Sequence, residues 1–119
     1  MNHIELFAGC GGLCLGLESA GFKLLMANEL SPMAAQTFAF NILKEDLEKE
    51  PRAKSHALWI ASQYSREQMA KRLREDPRSY PEDLSVNTDL TDYGSNLKGS
   101  LLIGNVLSLN QWLEASPDV

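Results

Sequence analysis

The stretch ELFAGCGGLCLGLESAGF, Glu5 to Phe22, followed by Ala27-Asn28-Glu29-Leu30, decides the fold. Ile4 to Phe7, apolar except for Glu5, suits a buried parallel strand. Gly9, Gly11 and Gly12 then let the backbone turn sharply and approach a ligand closely. Leu13, Leu17 and Ala20 recur at helical spacing, and Gly21 closes the helix. Lys23 to Ala27 reads as a second strand that delivers Glu29 to the carboxyl end of the sheet. A carboxylate there can accept hydrogen bonds from both hydroxyls of a ribose, and Glu29 lies twenty residues after Gly9, the interval expected of ribose recognition in a dinucleotide or nucleoside fold. The segment is thus a strand, a glycine turn, a helix and a second strand ending in an acid.

A nicotinamide dinucleotide is one ligand such a unit takes, but its fingerprint asks for G-x-G-x-x-G. Counting from Gly9, the sixth position is Cys14, so the glycine that permits close helix packing is missing. An NAD-linked oxidoreductase is therefore the second reading. A third is a non-catalytic regulator that binds a partner subunit through an open sheet edge.

Glu5 to Leu13, Gly16-Leu17-Glu18, Ala20-Gly21-Phe22 and Asn28-Glu29 together resemble the opening of a DNA cytosine-5 methyltransferase. That resemblance implies a Rossmann-like α/β fold and S-adenosylmethionine as cofactor. It sets Phe7 against the adenine or sulfonium end and Gly9, Cys10, Gly11 and Gly12 around the methionine, with Ala8 and Leu13 flanking them. Glu29 falls on the ribose and Leu30 on the adenine face. Thr37, Phe38 and Asn41 resemble the family's T-F/Y-x-x-N segment. Leu101 to Val106 resembles the third family strand and its G-D-I end, with Asn105 in place of the usual Asp and Val106 after it. An amide oxygen can accept from the adenine amino group as the carboxylate does.

Roughly sixty residues separate the second strand's helix from that third strand, long for an α/β connection. The expectation is an insertion at residues 52–99, helical and then loop, within a chain whose residues 1–119 form the N-terminal part of a methyltransferase catalytic domain. Ser31 and Pro32 open a helix expected to run to about Glu50. Pro51 breaks it, and Ala57, Ile60, Ala61, Tyr64, Met69 and Leu73 predict a second helix over 53–75. Asp76 to Gly99 reads as a long loop, and a helical turn is predicted near Ser108.

The family's nucleophile is a cysteine after a proline, and no Pro-Cys pair exists in the 119 residues; Cys10 and Cys14, the two thiols, both sit in the glycine motif. No catalytic residue is assigned, and the chain by itself is expected not to methylate. The resemblance also implies a seven-stranded sheet with the first strand near its centre. Three strands are found here, so the first should have an unpaired edge suited to a missing catalytic half, a partner subunit or self-association. A truncated enzyme is favoured over a split one.

Net charge is −5 at neutral pH, which repels phosphate and argues against autonomous DNA binding. DNA is expected as a partner through the complete enzyme. Arg52, Lys54, Arg66, Lys71, Arg72, Arg74 and Arg78 make the insertion locally basic, and the favoured reading is a solvated helix face. Two cysteines four residues apart, with His3 and His56 the only histidines, do not suggest a metal site. No signal peptide or membrane-length apolar run is present, and the reading is a soluble cytoplasmic protein of bacterial or phage type, with no membrane partner.

Overall fold

The structure, a computed structural model, describes residues 1–49, 55–90 and 97–115. Strands β1 (Asn2–Leu6), β2 (Lys23–Glu29), β3 (Ala57–Trp59) and β4 (Ser100–Ile103) form one parallel sheet in the order β1-β2-β4-β3. Helices α1 (Gly12–Ser19), α2 (Pro32–Phe38), α3 (Met69–Arg72) and α4 (Val106–Ala115) complete the α/β arrangement.

β4 is buried at all four positions, as a parallel strand covered on both faces must be. Leu101 and Ile103 join Ala57, Trp59, Cys14, Ala35, Phe38 and Leu73 in the core on one face. Leu102 joins Leu58, Ile60, Leu90, Leu97 and Leu109 on the other. Thus α1 and α2 cover one face and α4 the opposite one. The family-like strand at Leu101 pairs directly with β2, and β3 adds outside it. β1 has β2 as its one neighbour among the described residues, so the expected edge is there.

Four elements differ from the sequence reading. β1, read as a buried strand, leaves Ile4 and Leu6 exposed because its outer face is uncovered among the described residues. The helix opened by Ser31, whose hydroxyl accepts from Ala34 N, ends as an α-helix at Phe38 instead of running to about Glu50. It widens into a π-helical turn, Ala39–Leu43, and stops at Lys44 in a left-handed conformation. The buried Glu45 carboxylate then accepts from the Ser55 hydroxyl, His56 N and His56 Nδ1, and this redirects the chain towards β3.

The helix read over 53–75 is not one helix. Ala57 to Trp59 is a strand, and a 3₁₀ turn at Arg66–Gln68 leads into the single turn of α3. The run Ala57-Leu58-Trp59-Ile60-Ala61 is apolar at every position, which fits a buried strand as well as a helix, and pairing with β4 decides it. At the other end, the turn predicted near Ser108 is a ten-residue helix. Pro51, Arg52, Lys54 and the 91–96 part of the predicted loop lie outside the described residues.

Candidate cofactor-binding site

β1 ends at Leu6, and the next residue turns the chain out of the sheet. Phe7 has φ 56°, a left-handed conformation rare for an aromatic residue, and its side chain is 74% exposed at the carboxyl end of the strands. Ala8 N donates to Asn28 O at 3.0 Å, which holds the turn beside the end of β2. Gly11, with φ 97°, lies so close to the next layer that a Cβ there would sit 2.8 Å from Ile42 Cγ1. The turn therefore rests on the π-helical segment, and only glycine fits at that position. A Cβ at Gly9 or Gly12 would meet nothing within 4 Å, so the backbone there faces open space.

Glu29 organises this turn. Its Oε1 accepts from Gly9 N at 2.9 Å and its Oε2 from Ser31 N at 2.7 Å, so one buried carboxylate ties the glycine turn to the start of α2. A carboxylate has about four acceptor positions, and each oxygen here keeps one beyond its backbone partner. The acid is thus a structural clamp that retains acceptor capacity. Behind it, the buried Asn28 amide donates to Leu102 O at 2.8 Å and Gly104 O at 3.2 Å, stitching β2 to the end of β4. Gly104 N donates in turn to Glu29 O.

Phe7, Ala8, Gly9, Glu29 and Leu30 therefore share the carboxyl ends of β1 and β2, the side on which open α/β sheets bind ligands. Cys10 is exposed in the turn, and Gly12 and Leu13, both exposed, begin α1. Asn105 and Val106 stand at the carboxyl end of β4, the strand next to β2. The Asn105 side-chain oxygen accepts from Leu107 N at 2.8 Å and so caps α4, which leaves its amide nitrogen and a second lone pair. Asn41 is exposed in the π-helical turn, where its carbonyl accepts from Lys44 Nζ.

Sequence reasoning missed Tyr80. Its hydroxyl donates to Leu30 O at 2.9 Å and so ties the loop after α3 to the residue following Glu29. Burial, with help from Glu75 and Glu29, pushes the phenol well above its ordinary 10, so it remains a donor at any working pH. No local pattern marks Tyr80, because its partner is fifty residues away in sequence.

The basic segment is not a row of free cations. Arg72, 1% exposed, donates from Nη1 to Asp89 Oδ2 at 2.8 Å, from Nε to Tyr64 O and from Nη2 to Asn87 O, and its guanidinium lies over the Trp59 ring. Arg66 also pairs with Asp89, and Arg78 pairs with Asp76 at the surface.

The family model for C-5 cytosine-specific DNA methylases matches residues 1–64. Among curated relatives, the Type II methyltransferase M.PspPI of Psychrobacter sp. (strain TA137) is 46% identical over 50 residues, covering 38% of this chain and 12% of the relative. The Type II methyltransferase M.DdeI of Desulfomicrobium norvegicum is 42% identical over 52 residues, 40% of this chain and 12% of the relative. The Type II methyltransferase M.NgoPII of Neisseria gonorrhoeae is 49% identical over 47 residues, 40% of this chain and 14% of the relative. The chain thus matches about an eighth of the length of these relatives. No solved structure matches. Among the described residues, no helix is long and apolar enough to cross a membrane. A match that begins at the first residue and runs past the midpoint of the chain makes this protein a member of the C-5 cytosine-specific DNA methylase family.

Proposed function

We propose that this chain is the S-adenosylmethionine-binding portion of a DNA cytosine-5 methyltransferase, which transfers a methyl group to carbon 5 of cytosine in DNA when completed by the rest of the enzyme or by a partner subunit. The observation that carries the reading is the Glu29 carboxylate, clamped by Gly9 N and Ser31 N at the carboxyl ends of the strands with two acceptor positions remaining. When bound, the cofactor supplies an electrophilic methyl group on a positively charged sulfonium. The residues here do the rest of the local work. Glu29 accepts from the two ribose hydroxyls and fixes the sugar. Exposed Phe7 and Leu30 offer flat apolar surface to the purine and shield it from water. The open backbone at Gly9 and Gly12 lets the methionine end approach closely, and the free part of the Asn105 amide addresses the purine edge.

Residues 1–119 are read as the N-terminal part of the catalytic domain, with residues 52–99 inserted in it. β1, with one paired neighbour among the described residues and with Ile4 and Leu6 half exposed, is the edge on which further strands would add. DNA belongs to the completed enzyme, in the setting of restriction and modification that the relatives' names suggest.

Calorimetric titration of Glu29→Ala with S-adenosylmethionine tests the assignment. Loss of the ribose acceptor should weaken binding by about 1–3 kcal/mol. Glu29→Gln, which keeps one acceptor oxygen, should fall between the two. Equal affinity of wild type and Glu29→Ala would remove Glu29 from the site.

A further inference from the structure

His3 and Glu5 lie two residues apart on β1 and so point to the same face of the sheet, the one covered by α1. Cys14, with no exposed surface, lies in the first turn of that helix. One donor atom from each, an imidazole nitrogen, a carboxylate oxygen and a thiol sulfur, all fall within 4.8 Å of one another. The His3 and Glu5 side chains are 9% and 3% exposed, and both ring nitrogens and both carboxylate oxygens are buried with no hydrogen-bond partner among the described residues. Their closest approach, 3.7 Å between Nε2 and Oε1, is too long for a hydrogen bond. Buried polar groups in native proteins are almost always partnered, and an unpartnered imidazole nitrogen and carboxylate oxygen beside one buried thiol fit a shared partner.

We propose that His3, Glu5 and Cys14 bind a divalent, borderline-soft cation of the zinc type, with a water completing the tetrahedron. A neutral imidazole, a carboxylate and a thiolate carry two negative charges, which the cation balances. Thiolate and imidazole together select zinc over magnesium or calcium, which take oxygen ligands. Zinc bonds of about 2.0–2.3 Å place tetrahedral donors roughly 3.3–3.8 Å apart. The His3–Glu5 separation of 3.7 Å lies slightly above the nitrogen–oxygen spacing of such a site, and the three donors, within 4.8 Å of one another, draw closer on binding to complete the set. On binding, the Cys14 thiol gives its proton to solvent and its sulfur pair to the metal. Glu5 precedes the glycine turn and Cys14 follows it, so the metal staples the turn's two flanks together. This site is independent of the cofactor reading.

Cobalt(II) is the probe. The full chain, stripped with a chelator and titrated with cobalt(II) under reducing conditions, is expected to bind one equivalent with a sulfur-to-cobalt charge-transfer band and tetrahedral visible absorption, both abolished by zinc. Cys14→Ser should lose the charge-transfer band, and Cys10→Ser should keep it. If Cys14→Ser does not fold, thiol alkylation mapped on wild type decides the matter, because zinc should protect Cys14 at least tenfold relative to Cys10. Absence of the charge-transfer band in wild type, its survival in a folded Cys14→Ser, or no protection of Cys14 by zinc would each overturn the proposal.

Discussion

The first forty residues and the segment from Ser55 to Leu90 are parts of one sheet built on opposite plans. In the first, neighbours in sequence are neighbours in space. β1, the glycine turn, α1 and β2 follow one another, and the clamp at Glu29 reaches back twenty residues to Gly9 and forward two to Ser31. In the second, a three-residue strand and a one-turn helix are held by groups far apart in the chain. Arg72 reaches Asp89 across seventeen positions, and Asp89 reaches Trp59 across thirty. Local glycine geometry can specify the first region. The second depends on a buried ion pair.

The two ends of the sheet differ in the same sense. At the β3 edge, Asp89 acts as a surrogate strand: its N–H donates to Trp59 O and its carboxylate accepts from Trp59 N. The outward backbone groups of Trp59 are thereby used, which blunts the edge against further pairing. At the β1 edge no described residue does this, and Ile4 and Leu6 remain half exposed. Among the described residues, one margin is capped by the chain itself and the other is not.

The largest effect should come from the ion pair. Arg72→Ala leaves the Asp89 carboxylate buried with only the weaker Arg66 contact, at 3.4 Å, to balance it, and should cost about 3–5 kcal/mol in chemical denaturation. A loss under about 1 kcal/mol would show that the second region does not depend on this pair. Next comes Gly11→Ala, where a left-handed φ and a Cβ 2.8 Å from Ile42 Cγ1 combine; about 1–3 kcal/mol of stability should be lost. Gly16→Ala sharpens the point. Its Cβ would meet nothing within 4 Å inside α1, so the same substitution there should stabilise by about 0.4–1 kcal/mol, and a destabilised Gly16→Ala would undo the account of α1.

A smaller, pH-dependent effect belongs to the junction between the regions. Burial alone would raise the Glu45 carboxyl, but hydrogen bonds from Ser55 and His56 outweigh it and hold the group below its ordinary 4.5. A lowered folded-state value means that the stabilisation is complete above about pH 4.5 and is lost as pH falls through the folded value. Thermal melts of wild type and Glu45→Gln should therefore differ near neutral pH and converge in acid. Melting curves separated by a constant interval down to pH 3, well under the ordinary 4.5, would contradict this role.

What could be read from the sequence follows the same division. The glycine turn, α1 and the placement of Glu29 were legible because positive φ values, helical spacing and the strand-to-acid distance are local properties. Even there, the use of Glu29 as a clamp on Gly9 and Ser31 was not visible, since it depends on how two loops meet. The strand at Ala57 read as helix because Ala57, Ile60, Ala61 and Tyr64 fall at helical spacing; the unbroken apolar run from Ala57 to Ala61 fits a strand equally well, and pairing with β4 selects the extended form. Arg72 read as a surface cation because nothing adjacent to it in sequence announces Asp89 or the Trp59 ring. His3, Glu5 and Cys14 did not read as a cluster because their spacing matches no familiar ligand pattern. The one available signal was the alternation that sends His3 and Glu5 to the same covered face.

The reading proposed for the carboxyl ends of β1, β2 and β4 is a site for S-adenosylmethionine and not for a dinucleotide. Calorimetric titration of the chain with S-adenosylmethionine, its demethylated product and NAD, under reducing conditions, tests it most directly. Binding of the first two and none of NAD is the expected result. Binding of NAD as tightly as S-adenosylmethionine, or of NAD alone, would contradict it.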